Sequence, residues 1–273
     1  MRALPRAEPR PRGGSRRRAV RVTGAGAYDV GLAAMFGCAA VTFVVLFFVP
    51  APYGRHRRAG WGPEIDARIG WALMESPSIW LFALVYFRGE AAWQSAPLAL
   101  FSLWQIHYVQ RTLVFPLLLR PGAPQPAANV AMAFGFNLLN AWLNATAISH
   151  AAIPYPPGWL AGPRFLAGAT LFLAGMAINL HADAVLRGLR RPGETGYRIP
   201  TGGLYRFVTS PNYLGEMIEW AGFAIAAWSL PALAFALFTA ANLVPRALTH
   251  HRWYREKFPD YPAERRALVP WLF

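Results

Sequence analysis

Apolar runs approaching the ~20 residues that a helix needs to cross a bilayer follow one another along this chain, with short polar loops between them. They occupy residues 27–49, 69–87, 97–118, 125–149, 160–186, 213–228 and 232–250. Pro50 and Pro52 stop the first, and only Ser229-Leu230-Pro231 separates the last two. Of 273 residues, 55% are hydrophobic and 15% charged, a composition unlike that of a soluble domain. The pattern predicts an all-α integral membrane protein with seven transmembrane helices in one domain, residues 26–273. Residues 1–25, rich in Arg, Pro and Gly, read as a disordered basic tail.

The net charge of +14 raises the question of nucleic acid, but outside the tail the basic residues sit mostly in short loops between apolar runs. That placement suits anionic lipid headgroups and a cytoplasmic face, so nucleic acid is excluded as a partner. Arg55, Arg57, Arg58, Arg68, Arg120 and the arginines of residues 187–206 fall on one side with the C-terminus, against Arg88 and Arg164 on the other. The loops predict a cytoplasmic C-terminus, in a bacterial inner membrane or endoplasmic reticulum; the arginines of the tail oppose it. Cys38 is the only cysteine, so no intrachain disulfide forms.

Polar residues inside the apolar runs are the candidate functional groups, because each is costly in hydrocarbon unless it faces a cavity or a partner. Glu75 stands next to a kink expected at Pro77, which frees the carbonyl of Leu73. An arginine paired with Glu75 for packing alone explains it as well. Tyr108 and Arg111 lie one turn apart beside Gln105 and His107, although an isolated tyrosine is often only an interfacial aromatic. Three further stripes have helical spacing: Asn179, Asp183 and Arg190; Asn212, Glu216 and Glu219; Arg246, His250 and Tyr254. They predict one shared polar cavity, against the alternative that they bond one another to hold the bundle together. No Gly-x-Gly-x-x-Gly follows a strand, so a Rossmann dinucleotide site is not expected. Loop arginines Arg190, Arg191 and Arg198 suit phosphate, though topology alone also accounts for them. Adjacent His250 and His251 diverge on a helix with no cysteine nearby, so no metal is expected.

The segment YRIPTGGLYRFVTSPNYLGEMIEW, with the tail HHRWYREKFPDYPAERRALVPWLF, resembles the C-terminal region of the steroid 5α-reductases, or 3-oxo-5α-steroid 4-dehydrogenases. The likeness is close from Asn179 onward, patchier over residues 53–120, and absent in the first 25 residues. His107-Tyr108 before Arg111-Thr112 matches the family's His-Tyr-x-x-Arg-Thr pattern. The resemblance implies a polytopic membrane enzyme that uses NADPH and acts on a steroid or related lipid enone. Substrate would enter from membrane lipid, and the assembly is compatible with a monomer.

By the same resemblance, Glu75 and Tyr108 are the catalytic pair at the substrate ketone. The cofactor pocket, formed by C-terminal helices and cytoplasmic loops, would use Arg111, Asn179, Asp183, Arg190, Tyr197, Arg198, Asn212, Glu216, Trp220, Arg246, His250 and Tyr254. The chemistry suits these groups: hydride delivered to the β-carbon of an enone gathers charge on the ketone oxygen, where preorganised donors stabilise it. Tyr108 donates directly, and Glu75 donates in its protonated form, which apolar surroundings favour in carboxylic acids generally. The chain departs from the family at Leu118-Leu119-Arg120-Pro121, where many members read Leu-Asn-Arg-Gly, and at Thr249, where many have histidine. Membrane methyltransferases of the isoprenylcysteine type and sterol double-bond reductases share the tail pattern. Arg255-Glu256-Lys257-Phe258 lacks the methyltransferases' paired glutamates. A non-catalytic lipid-binding protein is the remaining alternative.

Overall fold

The structure, a computed structural model, describes residues 25–49, 60–119, 124–150, 155–189, 194 and 196–272. The basic tail, apart from residue 25, and Arg55, Arg57, Arg58, Arg120, Arg190 and Arg191 lie outside the described residues.

Every apolar run is helical. The first is α1 (Ala25–Phe48), whose Val30, Val44 and Phe48 face outward with large exposed surfaces. The second is divided into α2 (Ala67–Glu75) and α3 (Pro77–Tyr86), with Asp66 capping the start through its carboxylate. The third is α4 (Ser95–Val109), then a π-helical turn over Gln110–Val114, then α5 (Phe115–Leu118). The remaining four are α6 (Ala127–Ser149), α7 (Pro163–Gly188), α8 (Pro211–Ala227) and α9 (Leu230–Lys257).

Among the described residues, four helical stretches are long and apolar enough to cross a membrane: Gly26–Phe48, Ala67–Tyr86, Pro163–Gly188 and Leu230–Lys257. By contrast, α8 has 17 residues, about 26 Å at 1.5 Å per residue, short of the roughly 30 Å of a hydrocarbon core.

Three departures from the sequence pattern have physical causes. Gln125–Pro126 is not the start of α6; it forms β2 and pairs antiparallel with β1 (Glu64–Ile65). Proline at the second position of β2 fits so short a pairing and then precedes the helix. The π turn precedes Pro116, which has no N–H for the carbonyl of Thr112 and whose ring crowds the preceding turn. Finally, α9 continues to Lys257, beyond the apolar residues, with Arg255 and Lys257 in its last turn, where they complement the helix dipole.

An aromatic centre holds the bundle. Phe82 stacks on Trp104 with ring centroids 4.4 Å apart, Trp104 meets Trp220 at 5.3 Å, and Trp220 meets Phe235 at 4.4 Å. Beyond area burial, such pairs contribute about 0.5–1.5 kcal/mol each.

The closest packing is between antiparallel α7 and α8. Glycines recur seven residues apart on both, Gly168 and Gly175 facing Gly222 and Gly215. A Cβ on Gly175 would lie 2.5 Å from the Gly215 carbonyl oxygen, and one on Gly215 would lie 2.6 Å from the Asn179 nitrogen. Two backbones therefore touch directly, as small residues permit in membranes.

The chain segment before α8 is stitched to the C-terminal segment. Thr209 N–H donates to the Arg266 carbonyl at 2.8 Å, Arg266 N–H to the Phe207 carbonyl at 2.9 Å, and Ser210 N–H to the Ala267 carbonyl at 3.2 Å. Val208 and Arg266 thereby form a parallel bridge. The Thr209 hydroxyl lies 2.6 Å from His251 Nδ1 and 2.7 Å from the Tyr261 hydroxyl, tying in the end of α9.

The glycine contact sets a strong expectation: Gly175→Val or Gly215→Val forces the two backbones apart and costs at least about 3 kcal/mol. Thermal unfolding of the detergent-purified variants checks it, and a midpoint equal to that of the parent would contradict it.

Candidate functional site

Two breaks in helical regularity bring polar groups into the apolar centre. At the first, Pro77 cannot bond to the Leu73 carbonyl, and the Ser76 hydroxyl donates to that carbonyl at 2.9 Å. Where a kink was expected beside Glu75, the run is divided into α2 and α3 at Ser76, whose backbone keeps helical angles. Glu75 Oε2 accepts from Asn137 Nδ2 at 3.2 Å, and the same amide nitrogen donates to the Met74 carbonyl at 2.7 Å. Ser78 Oγ donates to Asn137 Oδ1 at 3.2 Å, while Trp104 Nε1 donates to the Ser78 carbonyl at 2.9 Å. Tyr108 is buried and interacts with Ser78, Glu75 and Glu216.

At the second break, the π turn carries Arg111. Its Nη1 lies 3.3 Å from Asp183 Oδ2, and its Nη2 lies 4.0 Å from Glu216 Oε2. The guanidinium carbon sits 4.9 Å from the Trp71 ring centroid and 4.5 Å from that of Phe115, a cation enclosed by two aromatic faces. Asn212 Nδ2 donates to Asp183 Oδ1 at 3.4 Å, and Asn179 Nδ2 donates to the Asn212 carbonyl at 3.0 Å. Glu75 lies within electrostatic range of Arg111, His107 and Glu216, so the two clusters are neighbours.

The structure thus brings together Glu75, Tyr108, Arg111, Asn179, Asp183, Asn212 and Glu216. Trp220 is packed among them, with Tyr108 at 5.6 Å between ring centroids. Other candidates form neighbouring groups. Arg246 Nη2 donates to the Tyr213 hydroxyl at 2.9 Å, and His250 lies against the same ring at 5.4 Å. Tyr254, on the same face of α9, stacks on Tyr261 at 5.5 Å. Tyr197 meets Trp253 edge-on at 4.8 Å, and Arg198 pairs with Glu194 at 3.1 Å while largely exposed. Arg190 lies outside the described residues. No group of three metal-ligating side chains occurs among the described residues.

Two groups were not singled out as site residues from the sequence. Asn137 carries no charge and sits in an apolar run, so only its polarity marks it. Glu219 belongs to the α8 stripe, and its Oε1 lies 2.7 Å from Nδ1 of His107. Glu219 is fully buried, and its Oε2 has no hydrogen-bond partner among the described residues.

A helical bundle with a buried network of carboxylates, amides and one aromatic-enclosed arginine defines an enzyme-like centre within an apolar frame. Comparison with known proteins identifies it further. Residues 123–273 match the family profile described as 3-oxo-5-alpha-steroid 4-dehydrogenase. A steroid 5-alpha-reductase DET2 of Gossypium hirsutum is 44% identical over 237 residues, 85% of this chain and 92% of that protein. A 3-oxo-5-alpha-steroid 4-dehydrogenase 1 of Bos taurus is 44% identical over 239 residues, 85% of this chain and 91% of that protein. The protein of the same name from Mus musculus is 46% identical over 234 residues, with 85% and 91% covered. The chain belongs to the 3-oxo-5-alpha-steroid 4-dehydrogenase family of oxidoreductases.

The pairing of His107 with Glu219 generates a stability expectation. His107→Leu leaves the buried Glu219 without its one bonded partner and lowers stability by about 3–5 kcal/mol. The double variant His107→Leu/Glu219→Leu loses less, because no charge remains to be buried. Unfolding of both variants in detergent measures the difference.

Proposed function

We propose that this protein is an integral membrane reductase that saturates the Δ4 double bond of a 3-oxo-Δ4-steroid or similar lipid enone to the 5α-dihydro product, using NADPH. The observation that carries the reading is that Tyr108 and Glu75 both reach the hydrogen-bonded Ser78–Asn137 pair, next to the Arg111–Asp183–Asn212–Glu216 network. Membership of the family supports the substrate class. All seven helical runs lie across the bilayer in this reading, the short α8 with the local thinning that such a mismatch entails, and the C-terminus faces the cytoplasm.

The residues present fit a dinucleotide held without a β-sheet. Asn179, Asp183, Asn212 and Glu216 offer the acceptors and donors that amide and ribose groups require, and Arg246 lies at the same end of the bundle with Arg198. Those residues, with Arg111, Trp220, His250, Tyr197, Tyr254 and Arg190, would hold the cofactor. When bound, NADPH supplies a hydride. Guanidinium groups pair with phosphate oxygens, which gives Arg190, Arg198 and Arg246 their roles.

The chain's own part in the chemistry is at the ketone oxygen. Tyr108 donates its phenolic proton in a hydrogen bond to that oxygen. Asn137 holds Glu75 Oε2, so Oε1 of the protonated acid is the oxygen left to donate. Both donors sit in a water-poor environment where such bonds stabilise developing charge most. Ser78, fixed through Asn137 and Trp104, positions this pair.

Two measurements test the reading. The full chain in detergent, supplied with NADPH and a 4-ene-3-one steroid, should yield the 5α-dihydro product, identified by mass and stereochemistry; absence of that product overturns the assignment. Glu75→Gln and Tyr108→Phe should each lower kcat by about 10²-fold or more while NADPH binding stays within about twofold. Parental turnover in both variants would remove the catalytic pair.

A further inference from the structure

A cavity system lies at the surface where the lead-in to α8 meets the C-terminal segment. Its arginine-lined part, about 600 Å³, is lined by Thr201, Arg206, Phe207, Glu264, Arg265 and Trp271. Arg265 is only 5% exposed, yet its Nε and Nη1 have no hydrogen-bond partner among the described residues. Its guanidinium carbon lies 5.3 Å from the Tyr261 ring, which fixes the side chain without satisfying its donors. A buried guanidinium with idle N–H groups is costly, and an anion relieves that cost. Glu264 does not fill the role, since no ion pair joins it to Arg206 or Arg265 among the described residues.

The second part is apolar. A groove of about 400 Å³ runs along α7 past Ala177, Ile178, Ala182 and Leu204, and it shares Arg206 and Phe207 with the arginine-lined cavity. Ala177 is about three turns from the end of α7, so the groove leads from the charged rim along an apolar flank. At the rim, Trp271 and Leu272 are each 81% exposed, and Trp271 pairs with Phe207 at 5.6 Å. Exposed tryptophan beside arginine is the side-chain chemistry of a membrane interface.

We propose that this double cavity binds one acidic phospholipid, its phosphate on Arg265 and Arg206 and one acyl chain in the groove along α7. The continuity of cationic cavity and apolar groove favours an amphiphile over a free anion. The site is separate from the Asp183–Arg111 network and does not depend on the reductase reading. A bound lipid would clamp the Phe207 segment that leads into α8.

Native mass spectrometry of the full chain in detergent, titrated with phosphatidylglycerol or phosphatidylcholine of equal chain length, tests it. The expected result is one phosphatidylglycerol per chain, held about fivefold tighter or more than phosphatidylcholine. Arg206→Gln and Arg265→Gln should abolish that preference, and Ala177→Phe should weaken both lipids. Arg206 is exposed, so its variant alone decides if Arg265→Gln fails to fold. Equal retention of the two lipids, or a preference unchanged by Arg206→Gln, overturns the proposal. So does displacement of the lipid by millimolar inorganic phosphate, which marks a free-phosphate site, or one-for-one displacement by NADPH, which marks part of the cofactor site.

Discussion

The backbone contact between α7 and α8 is the constraint on which the rest of the centre depends. Lipid is as apolar as leucine, so helices in a membrane gain little from burying apolar side chains and associate through close packing instead. Glycines at positions 168, 175, 215 and 222 let the two helices approach until main-chain atoms touch. That approach sets the register in which Asn179 reaches the Asn212 carbonyl and Asn212 reaches Asp183. Bulkier residues at those four positions would separate the amide and carboxylate groups even if every one of them were kept.

Two of the charged groups, Glu75 and Arg111, enter this apolar frame where helices are irregular. The joint at Ser76 and Pro77 stands next to Glu75, and the π turn before Pro116 carries Arg111. Backbone groups released inside a membrane must find partners, because no bulk water is present. The Ser76 hydroxyl meets the Leu73 carbonyl for that reason. Side chains show the same economy: Arg111 is held by two carboxylates and two rings, and Glu75 by an amide.

Much of this was legible before the structure. Long apolar runs place helices with little ambiguity, and the α8 stripe marks polar groups that converge with other helices, since Asn212, Glu216 and Glu219 meet Asp183, Arg111 and His107. The interruption at Ser76, before Pro77, followed from the missing N–H. Other features were hidden for physical reasons. Asn137 is one uncharged polar residue among several in α6, and nothing local says that it faces Glu75. The π turn is one residue of extra winding, below the resolution of a periodicity argument. Tyr254 shares a helical face with Arg246 and His250, but its ring is captured by Tyr261, a contact made by a distant segment. The glycine pairs leave no mark in hydrophobicity, because their effect is the absence of a side chain.

The parallel seam between residues 207–210 and 265–267 has a practical consequence. Its residues are mostly buried, but they lie outside the polar network around Arg111, and the seam fixes the point from which α8 sets out. A proteolytic nick or an inserted affinity label within residues 262–268 would therefore silence the protein from outside, with all the deep polar groups intact. Loss of function after such handling would report a detached helix start and say nothing about the chemistry further in.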